Sequence, residues 1–346
     1  MRVIALEEHF NLPHLLARIP VERILARGNP APPQAPRLLA RTQPQLSDLG
    51  QGRLADMDTN GITMQVLSWA GPGADLLFGN EAIAWTIECN DALAAAVAAH
   101  PDRFAGFAHL PVTEPEAAAS ELQRTVMQHG FKGAMINGMT LPGETGKGER
   151  AAAGRFLDHP SFEPLLAMAE TLDVPLYLHP NLPPSTVREA YYDNLPKGMG
   201  FLLAAYGFGW HAEVAVHVLR LVLSGTLDRH PRLRLIVGHA GEYLPMALAR
   251  TENLLGAEVA GRLARPISEQ LRSQLWITTA GQFTLPPLRA ALDVFGVDHV
   301  LFSVDHPYNT NAEGRAFIDS LPLAPADLAR LCHGNAEALL KLKIPE

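Results

Sequence analysis

The feature that most constrains the fold of this 346-residue chain is a regular alternation of short apolar runs with amphipathic helical stretches. The runs have the length of buried parallel strands and are almost continuously apolar. Eight of them are found, at residues 3–6, 62–68, 104–110, 131–136, 174–179, 233–238, 275–279 and 299–304. Such an alternation predicts a parallel sheet with crossover helices. Eight repeats favour closure into a (β/α)8 TIM barrel, although the pattern alone does not distinguish this from a doubly wound open sheet.

Three longer stretches interrupt the alternation. Residues 11–55 follow the first predicted strand and are rich in proline, residues 180–212 follow the fifth, and residues 138–160 follow the fourth. We predict all three to be loop inserts. The first two leave the C-terminal ends of strands, where barrel enzymes build their substrate pockets, and the third is predicted to be a mobile surface segment. A (β/α)8 barrel occupies about 250 residues or more, and no linker or repeat divides the chain. Residues 1–346 are therefore predicted to form one domain.

Composition narrows the class of partner. The formal net charge is −8, which argues against nucleic acid or an anionic membrane surface as a ligand. No uninterrupted apolar run approaches the roughly 20 residues that span a bilayer, and carboxylates occur too early for a signal peptide. The two cysteines, Cys89 and Cys332, show no disulfide or metal-binding spacing. These features predict a cytoplasmic protein with a small-molecule ligand.

Residues able to bind metal or transfer protons follow four of the predicted strands. Glu7 and His9 follow the first, His179 the fifth, His239 the sixth and Asp305 the eighth. The C-terminal ends of all strands in a parallel barrel lie at one face, so these residues should meet there. Glu7 and His9 are two positions apart and share a side, whereas Glu8 points away.

Two imidazoles and two carboxylates suit Zn²⁺, Mn²⁺ or a similar ion. We therefore predict that Glu7, His9, His179 and Asp305 bind one divalent metal ion. A single histidine at a strand end is more often structural than a ligand, and the prediction depends on several strand ends showing the same feature. Ten further histidines are interpreted by position. Surface positions are predicted for His14, His100, His129, His159 and His230, packing positions for His109, His217 and His299, and His211 and His306 are left undecided.

The run Ala5-Leu6-Glu7-Glu8-His9-Phe10 resembles the opening of the amidohydrolase-type aromatic acid decarboxylases, notably the γ-resorcylate (2,6-dihydroxybenzoate) decarboxylases. Further similar segments occur along the whole chain, at 177–180, 215–221, 238–242, 276–281 and 301–308. The resemblance implies a (β/α)8 barrel, one divalent metal ion per chain and a homodimer or homotetramer. Residue 306 departs from the pattern, because it is a histidine where these decarboxylases tend to carry an aromatic residue.

Matched position by position, the resemblance implies that Glu7, His9, His179 and Asp305 are metal ligands. It also implies that His239 and Glu242 form a catalytic pair. Arg250 matches a substrate-binding arginine that can be donated across a subunit interface.

The favoured hypothesis is therefore nonoxidative decarboxylation of a hydroxylated aromatic acid, with Asp305 protonating the ring and with His239 and Glu242 setting its protonation state. No GxGxxG or Walker sequence indicates an organic cofactor. The rival hypothesis is hydrolysis of a lactone, ester or amide with Asp305 as general base. Many hydrolases of this type hold two metals bridged by a lysine after the fourth strand, where this chain has Asn137, and Lys132 lies at the strand's beginning. A metal-binding protein without activity is a third, less favoured reading.

Overall fold

The computed structural model describes residues 1–28, 37–140, 154–196 and 198–343. Within them the predicted alternation of strands and helices is present. The strands, β1 to β8, are Ile4–Phe10, Met64–Trp69, Phe104–Gly106, Ala134–Asn137, Leu176–His179, Leu235–Val237, Leu275–Thr278 and Val300–Leu301. The α-helices, α1 to α17, are Pro13–Leu16, Val21–Arg27, Arg37–Leu46, Gln51–Thr59, Gly79–Ala99, Pro115–His129, Glu163–Leu172, Ser185–Tyr191, Met199–Leu202, Gly209–Leu223, Thr226–Arg229, Leu244–Val259, Ile267–Gln274, Leu285–Phe295, Asn311–Asp319, Pro325–Ala329 and Asn335–Leu340.

The eight strands are parallel and close into a barrel. Ladders join β1 to β2 and β2 to β3, and a second series joins β4 through β8 in sequence order. Two parallel bridges connect these sheets: Ala108 pairs with Ala134 between β3 and β4, and Glu8 pairs with His306 between β1 and the segment after β8. The closed order confirms the (β/α)8 prediction and excludes the doubly wound sheet.

Side chains alternate between two apolar layers. One set fills the barrel interior and includes Leu6, Val66, Met135, Tyr177 and Leu301. The other set faces the surrounding helices, which contribute to a larger outer core. Because successive strand residues point to opposite sides, a residue two positions beyond an interior residue lies above it, at the C-terminal mouth. This alternation determines which residues can meet in a site there.

Helix α5 packs against the barrel and contributes Trp85, Cys89 and Leu93 to the outer core. By length and composition it is the one helix among the described residues that could cross a membrane, with a mean hydropathy of 1.2 over its most apolar window. Core helices of water-soluble proteins commonly meet the same criterion. Its position between β2 and β3 makes it a crossover helix of the barrel.

The prediction that residues 11–55 form a loop is wrong. Helices α1 to α4 occupy most of the described part of this insert. Arg53 of α4 is buried and donates to the carbonyl oxygen of His9 (2.6 Å) and to Oε1 of Gln65 (3.1 Å). The insert therefore supports the end of β1 as a packed helical layer.

The other two inserts differ from each other. Residues 180–212 carry α8, α9, a π-helical turn at Leu203–Gly207 and the start of α10, so this segment is also largely helical. Of the insert at 138–160, residues 141–153 lie outside the described residues.

The prediction that His230 lies at the surface is also wrong, because only 4% of it is exposed. Its Nε2 lies 2.8 Å from Oε1 of Glu163, and its Nδ1 lies 3.2 Å from Oε2 of Glu170. Both carboxylates belong to α7, so His230 fastens the segment before β6 to that helix.

Candidate active site

A β-bulge in β1 places the first pair of site residues. Ala5 pairs with Gln65 of β2, but the next paired residue of β1 is Glu8, opposite Leu67. Three steps along β1 therefore match two along β2, which shifts the alternation by one position. Leu6 points into the barrel, and the extra residue lets Glu7 and His9 reach the mouth above it. Without the bulge, Glu7 would share the outward side of Ala5.

The structure brings the four predicted metal ligands together at the mouth. Oε1 of Glu7 lies 3.3 Å from Nε2 of His179 and 3.8 Å from Nε2 of His9. Nε2 of His9 lies 3.3 Å from Oδ1 of Asp305. Glu7 and His9 are fully buried. In a tetrahedral site with ligand bonds of about 2.0–2.1 Å, ligand atoms lie roughly 3.3–3.4 Å apart, so two of these three separations match a shared cation.

The unpartnered atoms of this cluster test whether a cation fits. Oε1 of Glu7 and Nε2 of His9 are buried and have no hydrogen-bond partner in the described chain. Buried polar atoms of native proteins are nearly always paired, because leaving one unpaired costs about 1–3 kcal/mol. Two such atoms facing one another across a small space, with two further donor side chains, fit a divalent metal ion.

The electrostatics of the cluster agree with that fit. Burial alone would raise the pKa of Glu7, but the nearby charges of His239, His179 and His9 hold it below its usual range. Burial would lower the pKa of His9, yet Asp305 and Glu7 raise it to about 9. Burial raises the pKa of Asp305 and lowers that of His179 to about 3. Glu7 thus attracts positive charge, which His9 and His239 supply here.

Neighbouring strands fix the orientation of these ligands. The Tyr177 hydroxyl donates to Oε2 of Glu7 and lies 2.8 Å from Oγ1 of Thr278, which leaves the other oxygen of Glu7 facing the cluster. The Ser68 hydroxyl lies 3.2 Å from Nδ1 of His9. A Cβ at position 238 would press on Oε2 of Glu7, so the glycine there leaves room for this orientation of the carboxylate. Ligand orientation by such contacts is typical of metal sites.

The predicted acid–base pair follows β6. Nδ1 of His239 lies 2.7 Å from Oε1 of Glu242, and Nε2 of His239 lies 3.9 Å from Oε1 of Glu7 and 4.0 Å from Oδ2 of Asp305. Burial would raise the pKa of Glu242, but His239 and His211 lower it to about 2. Burial would lower the pKa of His239, whereas Glu242 and Glu7 raise it to about 10. His239 therefore stands between Glu242 and the metal ligands, with its Nε2 facing the Asp305 carboxyl group.

Three side chains lie in the site that the sequence analysis does not assign to it. His211, left undecided, lies 2.6 Å through Nδ1 from Oε2 of Glu242. Tyr177 belongs to one of the segments that resemble the decarboxylases, but the sequence does not show that its hydroxyl holds Glu7. Asn137 ends β4 opposite His179, and both atoms of its side-chain amide are buried without a partner in the described chain. Only Asn137 gave a sequence signal, since it ends an apolar run at the mouth.

Glu8 and His306 lie behind the cluster. Glu8 points away from the predicted ligands, as expected, and accepts from the backbone N–H of Val304 (2.8 Å) and of His306 (3.3 Å). Burial raises the pKa of Glu8 to about 8. The carbonyl oxygen of His306 accepts from the N–H of His9 at 2.7 Å, and burial lowers the pKa of the His306 imidazole to about 3. Both residues join β1 to the end of β8.

The structure does not bring Arg250 to the site of its own chain. It is exposed on α12 and makes no hydrogen bond or ion pair with the part of the chain that the structure describes. Lys132 is not part of the mouth. Burial lowers its pKa, and the nearby charges of Lys341 and Lys343 lower it further.

A closed parallel barrel with buried carboxylates and imidazoles at its C-terminal mouth defines the class of metal-dependent barrel enzymes. The chain belongs to the amidohydrolase family, whose model matches residues 9–342. Decarboxylase orsB of Emericella nidulans is 37% identical over 309 residues, covering 86% of this chain and 87% of its own. The gamma-resorcylate decarboxylase of Rhizobium sp. (strain MTP-10005) is 35% identical over 344 residues, covering 98% of each.

Several solved structures of relatives carry manganese. The dihydroxybenzoic acid decarboxylase of Polaromonas sp. JS666, with bound manganese and the inhibitor 2-nitroresorcinol, superposes with a TM-score of 0.85. It is 31% identical, over 98% of this chain and 97% of that one. The resemblance inferred from short segments is therefore confirmed along the whole chain.

Proposed function

We propose that the protein is a metal-dependent, nonoxidative decarboxylase of a hydroxylated aromatic carboxylic acid, that is, a carbon–carbon lyase. The observation that carries the proposal is the pair of unpartnered buried atoms, Oε1 of Glu7 and Nε2 of His9, next to Asp305. They leave room for a cation beside a carboxyl group whose pKa burial raises. The similarity to gamma-resorcylate and dihydroxybenzoate decarboxylases supports this reaction over hydrolysis.

In this proposal Glu7, His9, His179 and Asp305 hold one divalent cation per chain. Manganese is favoured over zinc by the manganese-bound relative, and mixed imidazole and carboxylate donors suit either ion. When bound, the cation supplies positive charge that holds the substrate's carboxylate and neighbouring ring oxygen. Asn137 fits a single ion better than the lysine-bridged pair, because an amide cannot bridge two cations as a modified lysine does.

The chain's own residues then carry the proton. Asp305 in its protonated form gives its proton to the ring carbon that bears the carboxylate, so a carbon–hydrogen bond forms there. The electrons of the bond to the carboxylate return to the ring as that bond breaks, and CO₂ leaves. Asp305 is left as a carboxylate, and His239, 4.0 Å away through Nε2, is placed to return a proton to it.

Polar groups without partners at the mouth support a polar aromatic substrate. The amide of Asn137 is buried and unpaired within the described chain. Tyr308 lies near the metal ligands, with its ring centroid 5.7 Å from that of His9. An aromatic wall with a donor and an acceptor beside it suits a hydroxylated ring.

Three further features complete the proposal. Arg250 binds the substrate carboxylate in the site of a neighbouring subunit, since its exposed position on α12 leaves it without a partner in the described part of its own chain. The protein is accordingly a homodimer or homotetramer. It is cytoplasmic and forms one domain over residues 1–346.

The direct test is to purify the protein, measure its metal content, and screen CO₂ release from a panel of hydroxybenzoates against hydrolysis of lactones, esters and amides. Release of CO₂ from a hydroxybenzoate that stops on chelation and returns with Mn²⁺ would support the proposal. Hydrolysis of an ester or lactone without CO₂ release from any aromatic acid would contradict it.

A further inference from the structure

We propose that His211 is a positioning residue for the acid–base pair: it holds the Glu242 carboxylate from the side opposite His239 and so fixes the orientation of the His239 ring. The inference deepens the proposed function and rests on it. His211 contacts Glu242, the carbonyl of Tyr206 and the rings of His239 and Tyr243. It therefore acts on the reacting groups through Glu242.

The two oxygens of Glu242 are divided between two imidazoles. Oε1 lies 2.7 Å from Nδ1 of His239, and Oε2 lies 2.6 Å from Nδ1 of His211. Glu242 is fully buried, so an oxygen without a partner would be costly. His211 supplies the second partner, which lets Glu242 stay ionised while it orients His239.

The hydrogens of His211 follow from its neighbours. Nε2 lies 3.2 Å from the carbonyl oxygen of Tyr206, which can only accept, so Nε2 carries a hydrogen. Nδ1 faces a carboxylate oxygen, so a hydrogen also lies between Nδ1 and Oε2 of Glu242. The remaining oxygen of Glu242 then accepts from Nδ1 of His239. Nε2 of His239 is left as the nitrogen that faces Glu7 and Asp305.

Such a support is needed because the backbone around Glu242 is strained. His239, Ala240, Glu242 and Tyr243 have φ values of 47°, 56°, 52° and 65°, in the left-handed region where a residue other than glycine is strained. A segment in this state persists only when its surroundings hold it. His211 belongs to a different element, α10, which the outer core anchors further along, so it fixes Glu242 from a rigid base.

Three variants separate positioning from structural support. His211→Phe removes both hydrogen bonds and keeps a ring, and we expect kcat to fall about 10–100-fold with KM and metal content nearly unchanged. His211→Asn keeps a side-chain N–H near the place of Nδ1 and should restore kcat to within a few-fold. His217→Phe is the matched control. This residue is buried on the same helix, and its Nε2 accepts from the N–H of Leu157 rather than contacting the site.

Two outcomes would overturn the proposal: no recovery in His211→Asn, or an equal loss of kcat in His217→Phe. A double variant tests whether His211 acts through Glu242. In a Glu242→Gln background, His211→Phe should cause little further loss, and an additive loss would refute the assigned route.

A measurement without substrate keeps this test independent of the proposed reaction. Ring ¹⁵N signals of His239, assigned by their disappearance in His239→Asn, should show an Nδ1–H held in a strong hydrogen bond to Glu242 in the wild type and a weakened or lost hydrogen bond in His211→Phe. Unchanged signals would overturn the role of His211. If the wild type released no CO₂ from any acid while the signals changed, the proposed function would fail and the positioning role would stand.

Discussion

Two clusters at the barrel mouth contain the same kinds of side chain but differ in how their polar atoms are paired. The ligand cluster consists of Glu7, His9, His179 and Asp305, and the acid–base cluster of His211, His239 and Glu242. In the ligand cluster a carboxylate oxygen and an imidazole nitrogen are buried without partners. In the acid–base cluster each carboxylate oxygen is within 2.7 Å of an imidazole nitrogen.

The difference separates a cation site from a proton site. Composition and proximity alone would allow either cluster to hold a metal ion. Glu242, however, already has both oxygens occupied, so a cation there would have to displace two short hydrogen bonds. The ligand cluster loses nothing by binding a cation, because its facing atoms have no hydrogen bond to give up.

The largest effect is expected from removing a ligand. His179→Ala deletes an imidazole 3.3 Å from Glu7 and should reduce metal content to near zero after dialysis, and activity with it, because a four-ligand site tolerates little loss. Asp305→Asn should act in the same direction. Elemental analysis of the purified variants is the measurement, and unchanged metal content in both, or two tightly held ions in the wild type, would contradict the single-cation assignment.

The second largest effect is expected from a substitution in the acid–base cluster. His239→Asn removes the proton-transferring nitrogen but no ligand, so the variant should keep its metal and lose a factor of roughly 10² to 10⁴ in kcat. Metal content and steady-state rates of the same preparation measure both. Turnover within a few-fold of the wild type would make His239 structural, and loss of the metal would move it into the ligand cluster.

A smaller effect is expected behind the ligand cluster. Tyr177→Phe removes the hydroxyl that holds Oε2 of Glu7, so metal affinity should weaken about 10–100-fold while the fold persists. Titration of the metal-free protein with Mn²⁺ measures this. Tyr192→Phe, at a buried tyrosine outside the cluster, is the control. Equal affinities in the two variants would show that Glu7 needs no such support.

The smallest effect concerns the surface. Arg250→Ala should raise KM for the acid about tenfold or more, the cost of losing one charged hydrogen bond, with unchanged unfolding temperature and metal content. Arg262→Ala, exposed just beyond the same helix, is the control. Analytical sedimentation tests whether Arg250 acts in the site of a neighbouring subunit. A strictly monomeric and fully active protein would refute that role.

The barrel was predictable because its strands are apolar runs that the sequence shows directly. The convergence of Glu7 with His179 and Asp305 also followed, since parallel strands end at one face. The bulge in β1 did not, because no residue between Ala5 and Glu8 marks it. It shows only in the pairing with Gln65 and Leu67.

What the sequence concealed depends on contacts between distant elements. His211 and Glu242 are 31 positions apart, and nothing local marks the histidine as a partner of that carboxylate. His230 looked like a surface residue because it follows a short helix, and only the packing of α7 buries it. The helices within residues 11–55 were obscured by the proline-rich run, although Arg53 and its neighbours form a packed layer.

The hydrogen bonds that join Glu8 to the segment after β8 have a consequence for the folding of the chain during its synthesis. Glu8 of β1 accepts its hydrogen bonds from the N–H groups of Val304 and His306, which are synthesised 296 and 298 residues later. Contacts over such separations form slowly, because a long loop must close before they can. A nascent chain that ends before residue 304 therefore has an open barrel edge. The mouth, which combines residues of β1 with Asp305, therefore forms only after this segment has been synthesised.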